Sequence, residues 1–210
     1  MPLYKTITVN PTTNVLIWKI EEPFEVLSEG ISLTDHCANR VAGMKSDLHQ
    51  RGFMSVRHLL KKMGYTDFDL YYDEKGKPHL KDGKKISITH SFTFSAIIVS
   101  DIEVGIDIEM QRPKILKIAP KFTPIEEYRT LANEEALIRK LTMVWGAKES
   151  LYKSFAEKGV AFLKNIYVED FDMEDLETTA QVEFQHKKQE YQVWFMEFEG
   201  FTCAYALLHS

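Results

Sequence analysis

Polar and apolar residues alternate along 3–9 (LYKTITV) and 14–20 (NVLIWKI), the period-two pattern of strands, with a turn-prone stretch around Pro11 between them. A helical pattern follows, with Thr34 or Asp35 as its N-cap. It closes over Val56–Met63, where Gly64 is placed as the C-terminal stop. Short strand-like pieces come next, FDLYYD, KPHL, KISITHS, FSAIIVS and EVGIDIE, punctuated by Gly76 and Gly83 as in a meandering sheet. In the second half, Thr123-Pro124-Ile125-Glu126 reads as a helix start, with Thr as N-cap and Pro at the first helical position. Asn133-Glu134-Glu135 opens another helix that runs through Trp145 to about Phe155. The chain ends in a hairpin-like pair, YQVWFMEF and FTCAYALL, around Glu199-Gly200. Strands, helix, strands, then helices, strands: the order predicts an α+β protein of two halves, 1–103 and 104–210, packed as one globule.

Composition narrows the class of protein without choosing its function. With 44% hydrophobic and 27% charged residues over 210 positions, the chain has the make-up of a soluble domain able to build its own core. Cys37 and Cys203 lie far apart and form no CxxC pair, which argues against a disulfide framework or a zinc site. The first residues lack the apolar core of a signal peptide, and no apolar run approaches the ~20 residues needed to span a bilayer. A cytoplasmic protein without membrane association is therefore expected. A net charge of −5 speaks against broad nucleic-acid binding.

Three stretches carry candidate chemistry. In the strand Val104-Gly105-Ile106-Asp107-Ile108-Glu109 the two carboxylates point the same way, and Gly105 leaves room for a backbone or ligand to approach closely. Paired carboxylates on an apolar strand suit a cation such as magnesium, which prefers oxygen ligands; a solvated edge strand is the plain alternative. In Trp145-Gly146-Ala147-Lys148-Glu149-Ser150-Leu151-Tyr152-Lys153, Glu149 and Lys153 are four apart and share a helix face. They are either a third metal carboxylate with a phosphate contact or an ordinary surface pair. Lys75-Gly76-Lys77-Pro78 and Thr89-His90-Ser91 offer a lysine turn and a strand-end histidine for a phosphate, or a solvated turn and a core histidine.

Taken together and in this order, the stretches resemble the 4'-phosphopantetheinyl transferase family, in particular its larger, surfactin-synthetase-activating type. GIDIE at 105–109 and WGAKESLYK at 145–153 match the family's paired motifs, and Gly76-Lys77-Pro78 and Thr89-His90-Ser91 match its upstream pieces. Two positions depart from the family pattern: Gly146 stands where a Ser, Thr or Cys is usual, and Thr89 where Ser is commoner.

The resemblance implies transfer of the phosphopantetheine arm of coenzyme A to a serine of an apo acyl or peptidyl carrier protein, with release of 3',5'-ADP. It implies Asp107, Glu109 and Glu149 as magnesium ligands, and either Glu149 or Glu127 as the base that takes the serine proton. Lys153 would contact the pyrophosphate, and Lys148 would do likewise or orient the helix. Lys75 and His90 would hold the 3'-phosphate, Lys77 and Pro78 would shape the nucleotide pocket, and Arg51 and Arg57 would add further nucleotide contacts, although Arg57 could equally lie along a helix surface. The implied fold is two similar α+β halves with pseudo-two-fold symmetry, working as a monomer, with coenzyme A in the cleft between them. The N-terminal half would take the nucleotide and the C-terminal half would carry the metal and catalytic motifs. Two other readings use the same residues: a magnesium-dependent phosphoesterase acting on coenzyme A or a nucleotide, and a non-catalytic module that binds coenzyme A or a carrier. Phe155, Phe162 and Leu163 are candidates for a carrier-facing surface, core packing being the ordinary fate of such residues.

Overall fold

The computed structural model describes residues 3–124 and 132–209. The chain divides into two compact units, Met1–Asp101 and Ile102–Ser210, two residues ahead of the boundary expected from sequence. Each is α+β and is built on one antiparallel sheet.

The first unit opens with the antiparallel pair β1 (Leu3–Asn10) and β2 (Thr13–Lys19), and β2 continues the sheet through β6 (Phe94–Ser100). The remaining strands are β5 (Lys85–Ser91), β4 (Pro78–Leu80) and β3 (Leu70–Tyr72), which gives the order β1-β2-β6-β5-β4-β3. Three helices accompany it: α1 (Phe24–Ser28), α2 (Asp35–Ala42) and α3 (Asp47–Lys62). The single helical pattern expected over 35–63 is thus broken at Gly43–Ser46. Thr34 caps α2 by accepting from the Cys37 amide, and Gly64 follows α3 at φ +84°, a left-handed conformation that suits glycine. Leu59, Leu60, Met54 and Phe53 of α3 pack with Leu16, Trp18, Ile86 and Ile97 of the sheet into one core.

Inside that core lies an ion pair. Arg57 donates from Nε and Nη2 to Asp67 Oδ1, both at 2.9 Å, and its guanidinium stands 3.5 Å over the Phe53 ring. The Thr34 amide and hydroxyl donate to Asp67 Oδ2 at 2.9 and 3.0 Å, tying the start of α2 to the same carboxylate. Burial pushes the Asp67 pKa up, but the Thr34 amide, Arg57, Cys37 and the Thr34 hydroxyl outweigh it and hold the carboxyl below its ordinary value. A depressed native pKa stabilises above the unfolded value and ceases to do so as pH falls through the native one. Wild type is therefore expected to be more stable than Asp67→Asn at pH 7, with the gap closing below about pH 4. Thermal melts of both proteins from pH 7 to 3 check this, and a gap that ignores pH contradicts it.

The second unit begins with β7 (Val104–Met110), the GIDIE strand. It does not extend the meander that precedes it. It pairs antiparallel with the last strand, β11 (Phe201–Leu208), so that Asp107 lies opposite Ala204 and Glu109 opposite Thr202. The sheet runs β7-β11-β10-β9-β8, with β10 at Lys187–Phe198, β9 at Glu177–Phe184 and β8 at Ile166–Val168. The β10–β11 hairpin turns at Glu199-Gly200, both at positive φ (48° and 76°), as a two-residue turn between twisted strands requires. After β7 comes the short α4 (Lys114–Ile118). The long α5 (Glu134–Phe155) is capped by the Asn133 side chain, which accepts from the Ala136 amide, and α6 (Phe162–Asn165) precedes β8. Met143, Ala147, Leu151 and Phe155 of α5 pack on Val182, Tyr191, Val193 and Ala204 of the sheet. The helix expected to start at Thr123-Pro124 lies on residues 125–131, outside the described ones. No helix among the described residues is long and apolar enough to cross a membrane.

Candidate active site

The site is set by how closely α5 lies on β7. A strand turns every second residue to one face, so Gly105, Asp107 and Glu109 share the side that meets the helix. At Gly105 the approach is closer than any side chain permits: a Cβ there would sit 1.8 Å from the Ser150 carbonyl oxygen and 2.6 Å from its carbon. Gly146 makes a second, milder contact, where a Cβ would meet Ala204 Cβ at 3.2 Å. The residue that departs from the family pattern is thus one that helps α5 settle on β11. Ser150 fastens the same turn, its hydroxyl donating to the carbonyls of Gly146 (2.8 Å) and Ala204 (2.9 Å).

This contact brings the Glu149–Lys153 face of α5 to the carboxylate strand. Lys153 Nζ donates to Asp107 Oδ1 at 2.8 Å and to the Ile106 carbonyl at 3.0 Å. Asp107 is 5% exposed, which excludes a solvated edge strand as its setting. Glu149 is pushed up to about 7, first by burial and then by the charge of Asp107; Lys153 pulls it down and Glu109 adds to the rise. Glu109 is raised by burial and by Asp107, against the Trp145 indole, Lys153 and Arg112. Three carboxylates therefore feel one another's charge in a half-buried setting, with the Lys153 ammonium among them.

An all-oxygen donor set of this kind fits a hard divalent cation such as magnesium, whose charge turns mutual repulsion into shared coordination. The set is not a finished cage: among the described residues no three His, Cys, Asp or Glu side chains converge as a ready-made metal cluster. Asp107, Glu109 and Glu149 are the residues that would hold the ion.

Lys148 is placed differently from its neighbours. It is 4% exposed, and its ammonium donates to the carbonyls of Phe122 (2.5 Å), Phe162 (3.0 Å) and Ile166 (2.7 Å). These contacts anchor α5 to Phe122, to the start of α6 and to the start of β8, an arrangement that suits the helix-orienting role. Arg57, expected to reach the nucleotide, is instead sealed in the first unit's core by Asp67 and Phe53. A guanidinium 4% exposed cannot meet a ligand without breaking that pair. Arg51 donates to the carbonyls of Glu22 (2.8 Å) and Ile20 (3.1 Å) and is part-buried.

The other nucleotide candidates stand at the surface of the first unit. Asp73 organises the lysine turn: its Oδ1 accepts from the backbone amides of Lys75 and Lys77, both at 2.9 Å, and its Oδ2 contacts His79 Nε2 at 3.0 Å. Gly76 sits at φ +83°, and Lys75 is exposed while Lys77 and Pro78 are half-buried. His90 is exposed, not a core histidine, with the Gly52 backbone close behind its ring. Glu127 falls on 125–131, outside the described residues. Phe155 belongs to the core of the second unit, whereas Leu163 is 46% exposed.

Sequence reasoning passed over Trp145 as a site residue. Its indole N–H donates to Glu109 Oε1 at 3.2 Å, and its position one turn before Glu149 was the available signal.

Comparison with known proteins points to the same stretch of the chain. The family model described as the 4'-phosphopantetheinyl transferase superfamily matches residues 103–206, the stretch that holds β7 and α5. The enterobactin synthase component D of Salmonella typhimurium is 31% identical over 130 residues, 60% of this chain and 55% of the relative. The 4'-phosphopantetheinyl transferase gsp of Aneurinibacillus migulanus is 29% identical over 141 residues, 66% of this chain and 57% of the relative. The chain thus spans little more than half the length of these curated relatives. Residues 103–206, where the carboxylate strand and the Glu149–Lys153 helix face are brought together, are similar to the 4'-phosphopantetheinyl transferase superfamily.

Proposed function

We propose that this protein moves the 4'-phosphopantetheine arm of coenzyme A onto a serine of an apo acyl or peptidyl carrier protein and releases 3',5'-ADP. The single observation that carries the reading is the packing of Gly105 on Ser150, which sets Glu149 and Lys153 beside Asp107 and Glu109. Magnesium, when bound by those carboxylates, would supply positive charge to the pyrophosphate as its bridge breaks. Lys153, whose ammonium holds Asp107 here, would exchange that partner for a phosphate oxygen, which it would meet as a point charge. Either Glu149 or Glu127 would accept the serine proton. The serine oxygen forms the new P–O bond, the pyrophosphate bond breaks, and its electron pair leaves with 3',5'-ADP.

Lys75, Lys77, Pro78 and His90 of the first unit would take the nucleotide end of coenzyme A, with Arg51 lending its exposed edge. The order of motifs also supports the larger, surfactin-synthetase-activating type, and we propose that the protein acts as a monomer in the cytoplasm. Intact-mass spectrometry of an apo carrier incubated with the protein, coenzyme A and magnesium tests the reaction. A gain of one phosphopantetheine, lost on chelation, is expected. No gain with coenzyme A intact points to a binding module, and coenzyme A cleaved without carrier modification points to a phosphoesterase.

A further inference from the structure

The tie between Trp145 and Glu109 is a heteroatom contact inside an aromatic clamp. The Trp145 ring lies between Phe122, at a centroid distance of 5.0 Å and a 60° tilt, and Phe162, at 5.3 Å and 39°. Phe162 in turn meets Tyr152 at 5.5 Å. Two rings, Phe122 and Phe162, therefore hold the indole, and it cannot turn without breaking both contacts. What the clamp presents outward is one N–H, directed at Glu109 Oε1. An indole N–H only donates, so it accepts neither a proton nor a cation in its own right. A cavity of about 160 Å³ opens beside the pair, with Glu109, Met110, Ile115, Thr142 and Trp145 in its wall.

We infer that Trp145 is a positioning residue: its N–H holds one oxygen of Glu109 and so fixes how that carboxylate presents its other oxygen to the divalent cation. The inference rests on the reading of Asp107, Glu109 and Glu149 as the cation's ligands. Its physical content is orientation. A glutamate on a strand has three rotatable bonds and, unless held, must be ordered at the moment an ion binds. A donor held by two neighbouring rings does that ordering in advance, as partners of metal ligands do elsewhere.

Trp145→Phe is the informative variant, because it keeps a ring between Phe122 and Phe162 and removes the donor. Binding of Mn²⁺ alone, read from the electron paramagnetic resonance signal of the free ion, is expected to weaken about tenfold. The melting temperature should stay unchanged, and the transfer rate should recover when magnesium is raised. Equal Mn²⁺ affinity in the two proteins overturns the inference while leaving the cation reading intact. A wild-type protein that binds no Mn²⁺ overturns both. A second measurement keeps the native residue, should Trp145→Phe fail to fold. Of the three tryptophans, Trp18 and Trp194 are changed to Phe, leaving Trp145 as the sole indole. Its emission is expected to respond to Mn²⁺ and to lose that response in Glu109→Gln. An emission indifferent to Mn²⁺ in a protein that binds the ion overturns the inference.

Discussion

Gly105→Ala is expected to destabilise the second unit by about 4 kcal/mol or more, beyond the ordinary cost of overpacking a core. A methyl group at that position would have to occupy space 1.8 Å from the Ser150 carbonyl oxygen and 3.1 Å from its Cα. These are backbone atoms within a 22-residue helix, so no rotamer change relieves the clash. Either α5 lifts off β7 or β7 shears against β11, and both responses tear apart the packing of Ala147 and Leu151 on the sheet. Gly105 has ordinary strand geometry, so the effect is one of space and not of backbone strain. Urea unfolding checks it: a midpoint equal to wild type would mean that the helix and strand are not in contact. Any protein that stays folded should also have lost its activity, because Glu149 and Lys153 would no longer stand beside Asp107.

Asp107→Asn is expected to lower transfer by about 10³-fold or more while leaving the melt nearly unchanged. The substitution keeps the shape of a side chain that is 5% exposed, and keeps an oxygen for Lys153, while removing the charge. Loss of a cation ligand and of its electrostatic support at the pyrophosphate is worth several kcal/mol, each 1.36 kcal/mol being a factor of ten in rate. The measurement is the rate of carrier modification at saturating coenzyme A. Near-normal transfer by a folded Asp107→Asn protein would remove Asp107 from the set of cation ligands. Asparagine is preferred to alanine here, because the buried Lys153 contact would otherwise lose its acceptor along with the charge.

What the sequence revealed and what it concealed divide along the range of the interactions. The N-caps Thr34 and Asn133, the turn at Glu199-Gly200 and the period-two face of Asp107 and Glu109 are local, and each was legible from neighbouring residues. The partner of β7 was not, because Glu109 meets Thr202 across almost the whole second unit. Nor was the break between α2 and α3, where the four residues from Gly43 to Ser46 sit inside a continuing apolar pattern. The buried cations ran against the rule that charged side chains stay in water. A signal existed for them: Lys148 falls in the stripe of Val144, Leu151 and Phe155, and Arg57 in that of Phe53 and Leu60, all buried. A charge in an apolar stripe asks for a partner, and here the partners are carbonyls for one and Asp67 for the other. Gly105 was read as a place of close approach without knowing to what, since only the fold supplies Ser150.

Helix α5 carries two sunken lysines eight residues apart. Lys148 is held by three carbonyls, and Lys140 donates to Asp170 and the Phe171 carbonyl beneath the Phe171 ring. Each is 4% exposed, and their acceptors bracket the edge strand β8. Acylation of a lysine needs an open approach to its amine, and these two offer none. Amine-directed reagents, including thioesters, would thus write on Lys75 and Lys164 at the surface and pass over the pair that secures β8. The helix keeps its anchors out of reach of the very chemistry that wears away exposed lysines.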